Sequence, residues 1–511
     1  MLFNSYTFLF LFLPLTLLVF WFLQDRWNSR HALGWLVVAS LFYYGWWEPR
    51  YLGLILVSVA FNYSWGRLIA GRRRSTPLLE AGILINLVAL GWFKYAGFLL
   101  ANYNQVAGTD FHLQTIVLPL AISFFTFQQI AYLVDIHRGE SAADDVLHYL
   151  LFVTFFPQLI AGPVVQQQEM LPQYRASPSR GRRSEYVAVG LSFFLLGLFK
   201  KVVLADGVAV YAAPVFEAAD GGARITFFEA WGGALAYAYQ IYFDFSGYSD
   251  MAIGLARMFG FRLPVNFNSP YQATGIIDFW RRWHMTLSRF LKAYLYIPLG
   301  GNRRGTPRRY FNLMATMVLG GLWHGAGWNF VIWGALHGGL LVLNTMWQQV
   351  RPMIASSPAR PWEKHLGSAT TFVMVVMVWI FFRAETLSGA VGMLRGALGL
   401  NGLVLDERLA ESLSVLKPWV VFAGEHAGYF NLYGVPWLVA LSLVCWYVPN
   451  LQKIFAGMRP ALDPRGGLWQ EGVQRFPAWG QSVRWAWVVA VLGVLAITHM
   501  SRVMEFVYYR F

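Results

Sequence analysis

One histidine in this chain lies deep inside an apolar stretch and is bracketed by glycines. His324 occurs within Leu319–Trp328, between Gly321 and Gly325. An ionisable side chain at membrane depth is costly, which makes it a candidate functional residue. Burial favours the neutral imidazole, which can accept a proton from a hydroxyl group as a general base does. Small flanking residues let another backbone or a ligand approach the ring. The alternative is a histidine that only bridges helices through hydrogen bonds.

Two more histidines and one acidic segment lie in similar surroundings. His337, in Leu336-His337-Gly338, fits the helix-bridging role better than a catalytic one. His284 lies among basic residues, where a solvated role and a catalytic role are equally plausible. Asp244 and Asp250 are six residues apart in apolar sequence, and we expect them to pair with the arginines that follow. A glycosidase also uses two carboxylates, but a hydrolase site that opens into the bilayer is implausible.

The signatures of soluble enzymes are absent from the sequence. It contains no phosphate-binding glycine loop, no G-x-S-x-G, no H-E-x-x-H and no Cys/His cluster. We therefore expect no metal site. The single cysteine, Cys445, excludes an intrachain disulfide.

The composition is that of a membrane protein. Hydrophobic residues make up 57% of the 511 residues and charged residues 13%, whereas soluble domains average about 45–50% and about 25%. The net charge is +14, which could suggest nucleic acid. The Lys and Arg residues flank apolar stretches, however, as the positive-inside rule and contact with anionic lipid headgroups require. We therefore expect membrane lipids as partners and no nucleic acid.

The apolar stretches predict an all-α polytopic membrane protein with about 11–13 membrane helices. A spanning helix needs about 20 mostly apolar residues. The segment 147–165 has basic loops on both sides and contains Pro157, Gly162 and Pro163, which indicates a re-entrant segment. The candidate spans begin near residues 7, 32, 51, 79, 113, 147, 186, 225, 311, 330, 366, 433 and 485.

Residues 251–309 are strongly basic, with ten Lys and Arg residues against the single acid Asp278. Within them, Phe279–Ile297 has apolar residues at a helical period, and basic residues fall largely on the other face. This pattern predicts an amphipathic helix that lies at the cytoplasmic surface or dips into it. Simple anchoring to lipid is the alternative role.

Several motifs resemble the membrane-bound O-acyltransferase family, and within it the bacterial alginate O-acetylase branch; they also resemble the D-alanyl transferase of teichoic acids. The resemblance covers residue 1 to about 385 and is weaker beyond. The matching stretches are 8–14, 159–163, 242–254, 266–271, 279–284, 299–303 and 320–325, which include Asp244-Phe245-Ser246-Gly247-Tyr248 and Leu322-Trp323-His324-Gly325.

The resemblance implies many helices around a central funnel. The chain would then be one transmembrane acyltransferase domain over 1–511, with a motif core over 119–385 and a weaker helical part over 386–511. It also implies that His324 is the catalytic residue and that His284 is the second important histidine. We further expect five residues of these motifs to contact the substrate: Trp323, Asn268, Arg281, Arg282 and Trp283.

The function implied is transfer of acetyl groups from a cytoplasmic donor, acetyl-CoA, across the bacterial inner membrane, with no bound cofactor. Periplasmic acetyltransferase partner proteins would then place the group on an exopolysaccharide such as alginate. Cellulose or another secreted glycan is an alternative acceptor. A transporter that moves a lipid-linked or acyl carrier without chemistry is the rival function, although transporters often show two related halves and we find none here. A structural subunit of an export complex is a further rival.

Overall fold

The computed structural model describes residues 1–46, 48–72, 74–114, 116–140, 145–354, 360–423, 428–463, 466–469 and 477–500. These residues are predominantly helical and form two compact units. The first comprises residues 1–199, 247–266 and the described residues from 451 onward, and the second comprises 200–246 and 267–450. Every residue proposed above for the site belongs to the second unit.

The first unit is made of helices, most of them apolar. Two π-helical turns, Phe8–Phe12 and Gly91–Tyr95, interrupt its longer helices. Its α-helices are Leu13–Arg26, Ser29–Gly45, Arg50–Gly71, Thr76–Leu90, Ala96–Ala107, Ile122–Arg138, Val146–Thr154, Phe156–Leu159, Gln167–Ala176, Arg183–Phe199, Leu451–Ile454 and Val483–His499.

The second unit is also helical and carries one small parallel sheet, formed by Val404–Asp406 and Val421–Ala423. The long helix Phe227–Met258 contributes to both units. The other α-helices of the second unit are Asp206–Asp220, Ile276–Arg282, Met285–Leu291, Thr306–His324, Trp328–Ile354, Pro361–Arg383, Leu387–Ala397 and Gly434–Tyr447.

Six helices within the described residues are long and apolar enough to cross a membrane. The prediction of an all-α polytopic membrane protein is therefore confirmed. The number of 11–13 membrane helices, the central funnel and the division into one domain stay predictions. The six helices are Phe8–Arg26, Arg50–Gly71, Thr76–Ala107, Arg180–Asp220, Trp328–Arg351 and Pro361–Arg383, with the shorter apolar helices Gly434–Tyr447 and Val483–His499 beside them.

The proline-containing segment is a broken helix, as its sequence predicts. The helix Val146–Thr154 stops before Phe155, and a single short turn of helix, Phe156–Leu159, follows it. Pro157 lies in the first turn of this short helix, where its missing N–H is not needed. The next helix begins only at Gln167. The chain does not form one continuous span here, and the re-entrant course stays a prediction.

The structure differs from the continuous amphipathic helix expected over Phe279–Ile297. The helix Ile276–Arg282 ends, a second helix occupies Met285–Leu291, and a π-helical turn follows at Lys292–Tyr296. The break lies at His284, whose φ of 41° and ψ of 53° are left-handed. Such a backbone conformation cannot continue a right-handed helix. The apolar period of the sequence gives no sign of this single residue.

Candidate active site

His324 is the last residue of one arm of a helical hairpin. The arms are Thr306–His324 and Trp328–Ile354, and the three residues between them are Gly325, Ala326 and Gly327. A connection this short forces the two helices to run antiparallel and to pack against each other. The imidazole is therefore held at the closed end of the hairpin, where the chain reverses direction.

Glycines bring the two arms of the hairpin into direct backbone contact. A Cβ added to Gly321 would lie 2.2 Å from the carbonyl oxygen of Phe330, and one added to Gly334 would lie 2.4 Å from the carbonyl oxygen of Met317. Real Cβ atoms do not approach backbone atoms this closely, so neither position accepts a side chain without a shift. Of the two glycines that bracket the histidine, Gly321 thus serves the close approach of another backbone, whereas a Cβ on Gly325 would meet the ring of Phe330 at 2.2 Å.

The imidazole of His324 lies in a pocket of aromatic rings, with 4% of the residue exposed. The ring centroid is 4.9 Å from that of Trp323, 5.2 Å from that of Trp333 and 5.2 Å from that of Phe382. All three rings meet the imidazole at steep angles, between 68° and 84°. This apolar enclosure favours a neutral imidazole, which is the state that a general base requires.

His284 is buried, and the structure excludes the solvated role that the sequence allowed. It is 1% exposed, and its ring stands edge-on to Phe245, with centroids 4.7 Å apart. Burial lowers the pKa of His284 to about 3, so the ring stays neutral at physiological pH. Left-handed backbone costs a non-glycine residue about 1–2 kcal/mol. Strain of this kind concentrates at functional sites, which supports a role for His284.

Asn268 and Arg282 are brought together by backbone and side-chain hydrogen bonds. The backbone N–H of Asn268 donates to the carbonyl oxygen of Arg282 at 2.9 Å. The Arg282 guanidinium in turn donates through Nε to Asp278 at 2.9 Å. The side chain of Asn450 donates to Oδ1 of Asn268 at 2.7 Å, which fixes the orientation of the Asn268 amide. Asn450 was missed because it lies in the C-terminal part, outside every motif.

Arg281 and Trp283 face different surroundings although they are two residues apart. Arg281 is exposed at the end of its helix. Trp283 is buried, stacked on Phe279 at 5.7 Å and tilted against Trp379 at 4.9 Å. Of the two, Arg281 is placed to meet a charged group in water, and Trp283 to hold the apolar interior together.

A continuous cluster of aromatic rings connects these motifs to the catalytic candidate. Trp333 contacts His324 at 5.2 Å and His337 at 4.8 Å, and it stacks on Trp379 at 5.9 Å. Trp379 in turn contacts Trp283. Neither Trp333 nor Trp379 belongs to the motifs singled out in the sequence. The signal for Trp333 was available, since it precedes His337 by four residues and so shares its helix face.

The acidic segment is structural, but the partners found differ from those expected. The Nζ atom of Lys201 lies 2.6 Å from a carboxylate oxygen of Asp206 and 2.8 Å from one of Asp244, and all three side chains are buried. In the first unit, Asp250 accepts a hydrogen bond from Gln452 at 3.0 Å. The sequence indicated pairing with the arginines that follow, and it gave no sign of Lys201 or Gln452.

Comparison of the sequence with known proteins relates this chain to one family. Residues 140–385 match the sequence model of the membrane-bound O-acyltransferase family. The chain is 43% identical to a peptidoglycan O-acetyltransferase of Helicobacter pylori, over 82% of this chain and 83% of that protein. It is 41% identical to a probable alginate O-acetylase of Azotobacter vinelandii, over 82% of each. A teichoic acid D-alanyltransferase of Streptococcus thermophilus is 27% identical over 53% of this chain and 69% of its own length.

The share of the chain that these relatives cover decides to which family it belongs. Two relatives above 40% identity cover more than four fifths of the chain, and they span both the His284 and the His324 segments. The resemblance to the alginate O-acetylase branch is confirmed, as is the expectation of an enzyme that transfers an acyl group to oxygen. The chain belongs to the membrane-bound O-acyltransferase family.

Proposed function

We propose that this protein transfers acetyl groups from acetyl-CoA in the cytoplasm, across the bacterial inner membrane, for O-acetylation of an extracytoplasmic glycan. One observation carries the proposal: a buried imidazole, His324, is held by a glycine-packed hairpin inside a cage of aromatic rings. Such a ring can take up and return a proton while water is excluded.

In the proposed reaction His324 is the general base. A ring nitrogen accepts the proton of an acceptor hydroxyl while the hydroxyl oxygen bonds to the thioester carbonyl carbon. The C–S bond then breaks, and the departing thiolate takes the proton from the imidazolium, which yields an ester and a free thiol. A covalent acyl-histidine relay is the less favoured variant, because it needs a second transfer at the same ring.

Arg281 is the proposed contact for the phosphate groups of the donor. It is exposed, and it belongs to the same short helix, Ile276–Arg282, that places Trp280 against His337 in the aromatic cluster. Charge-assisted hydrogen bonds from a guanidinium suit phosphate oxygens. Arg257 is unsuited to this role, although it belongs to the same basic stretch, because it is buried and paired with Glu185 at 3.0 Å.

A wall of the substrate path is proposed to consist of Asn268, Arg282 and His284. Arg282 and His284 are the chain neighbours of Trp283, and Asn268 is hydrogen-bonded to Arg282. The hydrogen bonds around Asn268 hold its amide in one orientation, which allows it to select a substrate group by direction. His284 contributes a neutral, polar ring in apolar surroundings. In this arrangement Trp323, next to His324, lines the reaction centre itself.

The acceptor is proposed to be a hydroxyl group of a secreted or cell-wall polysaccharide, reached through periplasmic acetyltransferase partner proteins. The names of the relatives support this class, because one is a peptidoglycan O-acetyltransferase and another a probable alginate O-acetylase. Their identities to this chain are nearly equal, so alginate and peptidoglycan are two outcomes to be distinguished by experiment.

The test is ester analysis of the surface polymers of cells with and without this protein. Mild alkaline release of acetate from isolated exopolysaccharide and from isolated peptidoglycan should show a loss in one fraction when the protein is absent. Restoring the parent protein should restore the esters. A protein that moves substrate without chemistry would leave acetyl-CoA intact, so release of free thiol in membranes supplied with acetyl-CoA separates transfer from transport.

A further inference from the structure

His337 is fully enclosed and has no hydrogen-bond partner in the described part of the chain. None of its surface is exposed, and neither ring nitrogen has a partner within hydrogen-bond distance there. The helix-bridging role expected from the sequence requires such hydrogen bonds, so the structure does not support it. A buried polar group that makes no hydrogen bond is destabilising, so its presence calls for another explanation.

Two of the rings around His337 carry further hydrogen-bond donors. Its centroid is 4.8 Å from that of Trp333 and 5.1 Å from that of Trp280, both at steep angles, and it is stacked on Phe279 at 6.2 Å. Within the described residues the indole N–H groups of Trp280 and Trp333 are buried without an acceptor. A neutral imidazole adds one more N–H. Three N–H donors are therefore carried by rings whose centroids lie within 5.9 Å of one another, among apolar ring faces.

This combination of N–H donors and aromatic faces suits one class of ligand. N–H donors bind a carbonyl oxygen, and they bind it more strongly as negative charge develops on that oxygen in acyl transfer. Aromatic faces offer a methyl group an apolar surface to pack against. The chemistry matches a small acyl group, with its oxygen toward the donors and its methyl against the rings.

Trp333 connects this position to the catalytic candidate, since it contacts both His337 and His324. We propose that His337 is a further substrate-contacting residue, which donates its ring N–H to the carbonyl oxygen of the acyl group during transfer by His324. This inference rests on the proposed function and deepens it. The imidazole of His324 handles the proton of the hydroxyl, and that of His337 stabilises the oxygen that gains charge.

The experiment compares three replacements of His337 in membranes containing the full-length protein, with acetyl-CoA as the probe and thiol release as the readout. His337→Phe keeps an aromatic ring and removes the donor. His337→Asn and His337→Gln place an amide N–H near the two former ring nitrogens. Removing one such donor typically lowers kcat by about 10²–10³-fold. We expect that loss for His337→Phe, with KM for acetyl-CoA within threefold of the parent value.

Conservative replacement and thermal stability distinguish this role from a structural one. At least one of the two amide variants should recover tenfold or more of the lost kcat, and the unfolding temperature of His337→Phe should stay close to that of the parent. Unchanged kcat in His337→Phe, or equal losses in all three variants, would overturn the inference while leaving the proposed function intact. If the parent releases no thiol from acetyl-CoA, the proposed function fails, and this inference fails with it. The exposed His365, replaced by Phe, is the matched control and should keep the parent rate.

Discussion

The imidazole of His324 stands edge-on to the indole of Trp333, with ring centroids 5.2 Å apart and planes at 84°. The two residues lie on different arms of the glycine-packed hairpin, so their contact depends on how closely the arms approach. The position of the His324 ring is therefore set by backbone packing about one and two turns away from it, at Gly321 and Met317. Changes in that packing should alter activity before they unfold the protein.

A methyl group at Gly334 should separate the arms of the hairpin. In Gly334→Ala the new Cβ has no room beside the carbonyl oxygen of Met317, and overpacking of this kind costs about 1–3 kcal/mol. We expect a lower unfolding temperature and loss of most acetyl transfer. Gly339→Ala is the control on the same helix, where a Cβ meets nothing within 4 Å. It should be neutral or stabilise by up to about 1 kcal/mol. Equal behaviour of the two variants would contradict the packing account.

Removal of the buried lysine should destabilise the second unit strongly. In Lys201→Met the carboxylates of Asp206 and Asp244 lose the cation that pairs with both, and breaking a buried ion pair costs about 3–5 kcal/mol. The measurement is thermal unfolding in detergent. Lys417→Met changes an exposed lysine and should shift stability by less than about 0.5 kcal/mol. A Lys201→Met protein as stable as this control would show that the pair is unimportant.

Replacement of Arg281 should weaken donor binding without changing the chemical step. Loss of a charge-assisted hydrogen bond to phosphate at an exposed site predicts about a 3- to 10-fold rise in KM for acetyl-CoA, with kcat nearly unchanged. Added salt should raise the KM of the parent for acetyl-CoA, because salt screens the attraction between Arg281 and phosphate. The KM of Arg281→Ala should change less, since this variant lacks that attraction. Arg395→Ala removes an exposed charge elsewhere and should have neither effect. A fall in kcat alone would count against phosphate contact.

Acid should destabilise the fold through His284. Its pKa is about 3 in the folded chain and about 6.5 when unfolded. Between these values the unfolded state binds more protons, so stability rises with pH there and is complete only above about pH 6.5. We expect the unfolding temperature of His284→Asn to fall less between pH 6.5 and pH 4.5 than that of the parent. Parallel slopes for the two proteins would contradict the buried, neutral state of His284.

The membrane class could be predicted because apolar composition is a property of the sequence itself. His324 could be singled out as a candidate because an ionisable residue inside an apolar stretch is equally visible there. The helix break between Thr154 and Gln167 was predictable for the same reason, since proline acts on its own backbone. The break at His284 was not, because left-handed backbone at a non-glycine residue is imposed by surrounding structure.

The environment of the site could not be predicted because it depends on contacts between distant segments. Asn450 orients Asn268 from 182 positions away, and Lys201 reaches Asp244 from a different helix. The sequence around His337 favours a helix-bridging role, and only its enclosure by rings without hydrogen-bond partners in the described residues indicates a different one. Such relationships have no periodicity or motif from which they could be inferred.

The most direct test of the account is acetyl transfer by His324→Ala, measured as ester-bound acetate on the isolated polymer and as thiol release from acetyl-CoA in membranes. Protein abundance and unfolding temperature are compared with the parent, and His365→Ala, at an exposed position, serves as the matched control. The account predicts that His324→Ala is produced and folded normally and transfers no acetyl groups, while His365→Ala matches the parent. Parent-level acetylation by a folded His324→Ala protein would contradict it.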